Sequence, residues 1–460
     1  FGKRVCVVEK APKPGGAAVN TGTIPSKTLR ETALYFSGLR QKGLYGVDLR
    51  VKQDITISDF MHRERSVIET EWGLIDENIA RHGITTVQGS ATFVDEHTIV
   101  VSRYGMEERR ISGDVILVAT GSVPMAPLGY AVDGETIVDS DSLLTLQRIP
   151  STMIVVGGGV IGCEYACIFA ALGVRVTVIN ARGRLVSHLD ADVSDALRQS
   201  MTARLGITVL GHVETASVRI ENGRAQVTLT DGMELNADVV LVCTGRAGNS
   251  GGLGLEALGV QINDRGFITV DSQYRTAVPA IFAAGDVIGF PALASASMEQ
   301  GRVAVCRAFD LRYKQNVSNV MPYGVWTIPE IATVGESEES LLSRGVLFEV
   351  GRASFRLNPR GQILGDTDGF VKILFAPEDQ RLLGVSIVGE TACELIHVGM
   401  TVIAFGGSLD YFIQAAFNFP SLADAYKYAA YDGLQRMQLR HSRTPGLPSV
   451  TGQHRAILDG

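Results

Sequence analysis

Three glycines, Gly157, Gly159 and Gly162, form a G-x-G-x-x-G pattern directly after the apolar run Met153 to Val156. Each missing side chain meets a different need: a tight turn, close approach of backbone N–H groups to a pyrophosphate, and close packing of a helix on a strand. The chemistry such a turn serves is dinucleotide binding. The pattern alone is weak, but Ser151 to Asn180 reads as strand, glycine turn, helix and second strand, which makes it specific. In such a unit the residue that ends the second strand chooses between the nicotinamide nucleotides. A carboxylate there bonds both ribose hydroxyls and repels a 2′-phosphate. Here the position is Asn180, followed by Arg182 and Arg184. Asn180 can bond a diol without repelling phosphate, and the arginines attract it, each charged hydrogen bond being worth about 1.5–3 kcal/mol. Binding of both NAD(H) and NADP(H) is the natural expectation.

A second unit of this kind opens the chain. GKRVCVVEK reads as a buried strand closing on Glu9, an acid placed to bond ribose hydroxyls. The strand, Gly-rich turn and helix that ordinarily precede it, about thirty residues, are absent. The sequence therefore reads as truncated at its N-terminus. As written, the chain is expected to bind this unit's dinucleotide poorly or not at all, although the complete protein should bind it.

The elements that position these residues need a large scaffold, and 460 residues with 45% hydrophobic content suffice for roughly three domains. A net charge of −7 with scattered basic residues leaves no stripe for a nucleic-acid backbone. The six cysteines have neither the spacing of a secreted disulfide framework nor that of a zinc site, so a reducing, cytoplasmic setting and no metal are expected. Cys163 and Cys167 share a helical face and read as packing hydrophobes. The charge-free stretch Val115 to Val132 is broken by Gly121, Pro124, Pro127 and Gly129, which argues against a membrane span.

The segment GGAAVNTGTIPSK, Gly15 to Lys27, resembles the active-site loop of the flavoprotein disulfide reductases. That family carries a redox Cys-x4-Cys pair where this chain has Ala18 and Thr23. Its C-terminal His-Pro, followed by a Glu, corresponds here to Phe419-Pro420 with Asp424. Phe419 cannot transfer a proton, so relay and acid–base dyad are missing together. The flavin and nicotinamide motifs remain. The resemblance implies FAD, contacted by Glu9, Thr23, the turn Ala119, Thr120 and Gly121, and Asp286 in AAGDV. It also assigns Gly245 in CTGRAGN to cofactor binding, and pairs Lys27 with Glu164 beside flavin N5, where hydride arrives. A helix N-terminus after Asp286 would stabilise negative charge on reduced flavin.

GTIPSKTLRE, GGGVIGCEYACIFAALG, INARGRL, AGDVIGFPALASASMEQGR and FNFPSLADAYKYAAYDGLQR together resemble the soluble pyridine nucleotide transhydrogenases up to about Arg440. That resemblance implies ping-pong hydride transfer between NADPH and NAD through flavin N5, by a homodimer or higher homo-oligomer with no nucleic-acid or membrane partner. It also implies an α/β fold of two Rossmann-like dinucleotide-binding domains and a C-terminal α+β interface (dimerisation) domain. The expected boundaries are 1–149 for the first part of the FAD domain, 150–267 for the NAD(P) domain and 268–320 for the FAD return segment. The dimerisation domain would cover 321–440, and 441–460 would be a poorly ordered tail. Two alternatives remain, an NAD(P)H quinone reductase (diaphorase) and a non-catalytic nucleotide-binding module. Lys27 and Glu164 argue against the second, since binding alone does not need them.

Overall fold

The structure, a computed structural model, describes residues 1–39, 55–125 and 129–443. The chain divides into two units, Phe1–Ser187 with Leu197–Asn319, and His188–Ala196 with the chain from Val320 on.

The first unit begins with strand β1 (Cys6–Glu9), helices α1 (Gly16–Asn20), α2 (Thr23–Phe36) and α3 (Ile57–Arg81), and strand β2 (Thr85–Gln88). A reciprocal capping box fixes the start of α3, the Thr56 hydroxyl accepting from the Asp59 N–H while the Asp59 carboxylate accepts from the Thr56 N–H. Leu29 and Ala33 of α2 and Phe60 and Met61 of α3 are buried. Among the described residues strand β1 pairs in parallel with β2. The expectation of a buried β1 is corrected for its first half: Cys6 is exposed and Val7 retains 40% of its exposure, whereas Val8 packs against the core residues around Val118 and Ile281. An antiparallel sheet of β3 (Ser90–Asp95), β4 (Thr98–Ser102) and β5 (Arg109–Ser112) follows, then short strands β6 (Ile116–Val118) and β7 (Ser122–Pro124).

The glycine-turn region contains β8 (Ile137–Asp139), β9 (Thr152–Val156), α4 (Val160–Ala171), β10 (Arg175–Asn180), α5 (Ala191–Ala203) and β11 (Thr208–Gly211). The antiparallel strands β12 (Thr215–Glu221), β13 (Arg224–Leu229) and β14 (Glu234–Ala237) come next, followed by β15 (Val239–Val242) and β16 (Arg246–Gly248). Its five-stranded sheet has the order β11-β10-β9-β15-β8, every pairing parallel. All four residues of β15 are buried, as a parallel strand covered on both faces requires. The chain then returns through β17 (Ile281–Ala283), parallel to β6, and α6 (Ala294–Ala308). Among the described residues β1–β2 and β17–β6 form two separate two-stranded pairs.

The second unit contains β18 (Tyr323–Val325), β19 (Ile331–Gly335), α7 (Glu338–Ser343), β20 (Glu349–Ser354), α8 (Pro359–Leu364), β21 (Phe370–Phe375) and β22 (Leu382–Val388). Helices α9 (Ala392–Ala404), α10 (Leu409–Gln414) and α11 (Ala425–Arg443) complete it. The strands form an antiparallel sheet ordered β18-β19-β22-β21-β20, as the texture of FVKILF and LLGVSIVG predicts. Ile373, Phe375, Val385 and Ile387 pack with Ile396 and Tyr426 in its core. Helix α11 lies so close to β20 that a Cβ on Gly351 would stand 2.1 Å from the Ala429 carbonyl oxygen. Helix α11 runs on to Arg443, and the rest of the expected tail lies outside the described residues.

Candidate active site

The glycine turn has the geometry that its spacing predicts. Gly157 has φ 118°, and a Cβ there would stand 2.4 Å from the Cys243 carbonyl oxygen, two residues before Gly245. A Cβ on Gly162 would stand 2.0 Å from the Gly157 oxygen, so only glycine lets α4 pack on the turn. Gly159, the N-cap of α4, has open space where its side chain would be, and no side chain caps the helix. Free N–H groups and the positive end of α4 face that space, which suits a pyrophosphate.

Asn180 is held differently from a free ribose ligand. It is 5% exposed, its Nδ2 donates to the Arg184 carbonyl oxygen at 3.1 Å, and a Cβ on Gly158 would collide with its Cγ at 2.6 Å. The side chain thus ties the glycine turn to the loop that carries Arg182 and Arg184. Arg182 is exposed and donates from Nη1 to the Ser187 hydroxyl at 2.9 Å.

Lys27 and Glu164 meet. Lys27 Nζ lies 2.8 Å from Glu164 Oε2, joining α2 to α4 across 137 positions of sequence. The two side chains are 26% and 5% exposed. Lys27 Nζ also donates to the Ser26 hydroxyl at 3.3 Å, and Ser26 in turn donates to the Gly22 carbonyl at 2.8 Å, which braces the first turn of α2. The pair is desolvated on the carboxylate side and open on the ammonium side. Ala18 lies in α1 and Thr23 opens α2 with no side-chain cap, so no sulfur stands at either place.

Asp286 sits in a one-turn 3-10 helix, Gly285–Ile288, ahead of α6. Its Oδ2 accepts from the Ser122 hydroxyl at 2.9 Å and its Oδ1 from the Ser297 hydroxyl at 3.3 Å. Ser122 is the residue after the turn Ala119, Thr120 and Gly121, whose backbone is held by Asn249: Nδ2 donates to the Thr120 oxygen and the amide to the Gly121 oxygen. Sequence reading missed Arg246, immediately after Gly245. Its Nε donates to the Ser122 hydroxyl at 2.8 Å and its Nη2 to the Ser122 carbonyl at 2.7 Å, which aims that hydroxyl at Asp286. A charged residue adjoining Gly245 was the available signal. Glu9 ends β1 and accepts from the Ala11 N–H at 2.9 Å, and Thr23 is exposed.

Cys163 and Cys167 are fully buried, and burial pushes the Cys163 thiol well above its ordinary value, with the neighbouring Cys167 adding to the shift. No disulfide joins them. They pack as hydrophobes. In the second unit, Phe419 is 74% exposed and Asp424 closes the 3-10 turn Leu422–Asp424.

A parallel sheet with a glycine turn at the helix start, and a lysine–glutamate pair beside it, defines a nucleotide-dependent oxidoreductase. The chain belongs to the pyridine nucleotide-disulphide oxidoreductase family, whose sequence model matches residues 1–301 and whose dimerisation-domain model matches residues 321–430. Within it, the chain is 42% identical over 439 residues to the soluble pyridine nucleotide transhydrogenase of Mycobacterium tuberculosis strain ATCC 25177 / H37Ra, covering 95% of this chain and 93% of that one. It is 38% identical to the protein of that name from Colwellia psychrerythraea, over 95% and 94% of the two chains. Among solved structures it is similar to LpdA from Mycobacterium tuberculosis, with a TM-score of 0.86 and 28% identity over 93% of each chain. The flavoprotein disulfide reductase RclA of Escherichia coli gives a TM-score of 0.83 at 25% identity, again over 93% of each chain. No helix among the described residues is long and apolar enough to cross a membrane.

Proposed function

We propose that this chain catalyses hydride transfer between NADPH and NAD with FAD as its prosthetic group, acting as a cytoplasmic homodimer. The observation that carries the reading is the 2.8 Å contact between Lys27, in the helix that ends the cysteine-free segment Gly15–Lys27, and Glu164, near the start of the glycine-turn helix. The names of the relatives support the same activity. FAD, when bound, supplies an acceptor and donor of hydride, so neither a disulfide nor an acid–base dyad is needed.

The residues assigned to flavin suit it. Asp286 presents a carboxylate oriented by two hydroxyls, as a ribityl chain requires, and α6 begins after it with no side chain capping its N–H groups. Lys27 provides a positive charge that Glu164 holds in place, and its exposed side leaves room for a nicotinamide to approach. The open face of Gly159 receives the nucleotide pyrophosphate, and Arg182 and Arg184 select for the 2′-phosphate. Because one turn serves both nucleotides, they bind in succession.

Anaerobic reduction of the holoprotein with NADPH, followed by NAD or a quinone, tests the proposal. Rapid reoxidation by NAD is expected. Reoxidation by quinone alone would make the protein a diaphorase, and no reduction by NADPH would reduce it to a binding module.

A further inference from the structure

Parallel pairing of β10 with β11 sets Asn180 opposite Gly211, so the two strands end side by side where the Arg182–Arg184 loop leaves the sheet. Ligands of open α/β sheets bind outside these carboxyl ends. Two side chains there take no part in the reading so far.

His212 is the first residue beyond β11, and it leaves the strand in the left-handed conformation with φ 60°. Non-glycine residues adopt this region uncommonly. Its consequence here is that the imidazole lies over Gly183: a Cβ on Gly183 would stand 2.3 Å from both Cε1 and Nε2 of His212. Gly183 has no need of an unusual φ, so its lack of a side chain serves to admit that ring between Arg182 and Arg184. Arg198, from α5, reaches the same place. A Cβ on Gly211 would stand 3.3 Å from Arg198 Nη2 and 3.8 Å from Gly183 Cα. The end of β11 at Gly211 and the loop glycine Gly183 thus lie side by side, with the His212 ring and the Arg198 guanidinium at them and Arg182 and Arg184 flanking Gly183 in the chain. Among the described residues, none of Arg182, Arg198 and His212 is paired with a carboxylate. His212 and Gly211 also line a cavity of about 410 Å³, whose wall includes Asp231.

We propose that Arg198 and His212 complete, with Arg182 and Arg184, the site for the 2′-phosphate of NADP(H). Nucleotide choice is then made by the ends of both β10 and β11, and Asn180 positions the loop between them. This rests on the reading of NADPH as a substrate. A guanidinium and an imidazole beside these glycines suit a doubly charged phosphate better than a neutral ribose hydroxyl.

Calorimetric titration with adenosine 2′,5′-bisphosphate and with ADP, which lacks the 2′-phosphate, tests the site directly and without turnover. The wild type should bind the bisphosphate more tightly. Arg198→Gln and His212→Gln should each weaken it about tenfold or more, the loss of one charged hydrogen bond. Binding of ADP should stay within about twofold, which also reports that the variants are folded. If the wild type prefers the bisphosphate and Arg182→Ala alone weakens it, this inference is overturned while the substrate reading stands. If the wild type does not distinguish the two ligands, both fall.

Discussion

Two lysines in this protein pair with carboxylates, one in each unit, and their environments differ. Lys27 retains 26% exposure and pairs with the acid Glu164. Lys372, in the middle of β21, is 1% exposed and faces three: Asp190 Oδ2 at 2.8 Å, Asp192 Oδ1 at 2.7 Å and Glu338. Asp190 also accepts the Glu338 N–H on its other oxygen at 2.8 Å, and Arg352 pairs with Asp192 at 3.2 Å. The three carboxylates have the convergence of a metal site, and the ammonium of Lys372 is the cation among them. Burial pulls the Lys372 pKa down, but the bonds from Asp190, Asp192 and Glu338 outweigh it and the pKa is raised. A charge so enclosed is committed to the fold. A charge with an open side can respond to what binds beside it. Exposure separates the two roles, where residue type does not.

Removing Lys372 should give the largest effect. Lys372→Ala leaves three carboxylates facing one another without a cation, and a loss of about 3–5 kcal/mol is expected in denaturant unfolding; a loss below about 1 kcal/mol would break the contrast. Next comes pH. Burial raises the Asp190 pKa to about 6, against the opposing pull of Lys372, while its unfolded value is near 3.8. A carboxyl raised by folding contributes stability that is full below the unfolded value and lost as pH rises through the folded one. The stability of Asp190→Asn relative to wild type should therefore improve between pH 4 and pH 7, by at most about 3 kcal/mol. Parallel stability curves for the two proteins would exclude the effect.

Lys27→Ala and Glu164→Ala should act on rate, with hydride transfer falling about a hundredfold and unfolding free energy changing by about 1 kcal/mol or less. Stopped-flow reduction of the holoprotein by NADPH reports the first and denaturant titration the second. A large stability loss with unchanged rate would place Lys27 with Lys372. The smallest effect is expected for Glu164→Gln, which keeps a hydrogen-bond acceptor and removes the charge. About a tenfold fall in rate would divide the role about equally, in free energy, between charge and orientation.

How much of this could be read beforehand varied with distance along the chain. The turn at Gly157, the parallel strands beside it and the antiparallel strands after Tyr323 were legible, since local spacing and alternation specify them. Lys27 and Glu164 were linked through resemblance of their motifs. At β1 the composition of GKRVCVVEK announced the strand but not its exposure, which is high at Cys6 and Val7. Asn180 was placed correctly at the strand end, but that its amide would turn inward onto Gly158 and the Arg184 carbonyl was not legible, because the same residue type serves either role. Neither Arg198 nor His212 lies in a motif, and nothing in sequence marks Lys372 among other lysines.

Sequence by itself determined the dinucleotide-binding turn, the family motifs and the absence of a cysteine relay, because a missing Cβ or a missing thiol acts at its own position. Only the tertiary structure decided which charges meet. Lys27 finds Glu164 across 137 positions and Lys372 finds Asp190 across 182, and no local pattern spans such distances. Packing set the exposure of each pair, and solvation makes one lysine a structural charge and leaves the other open to a ligand.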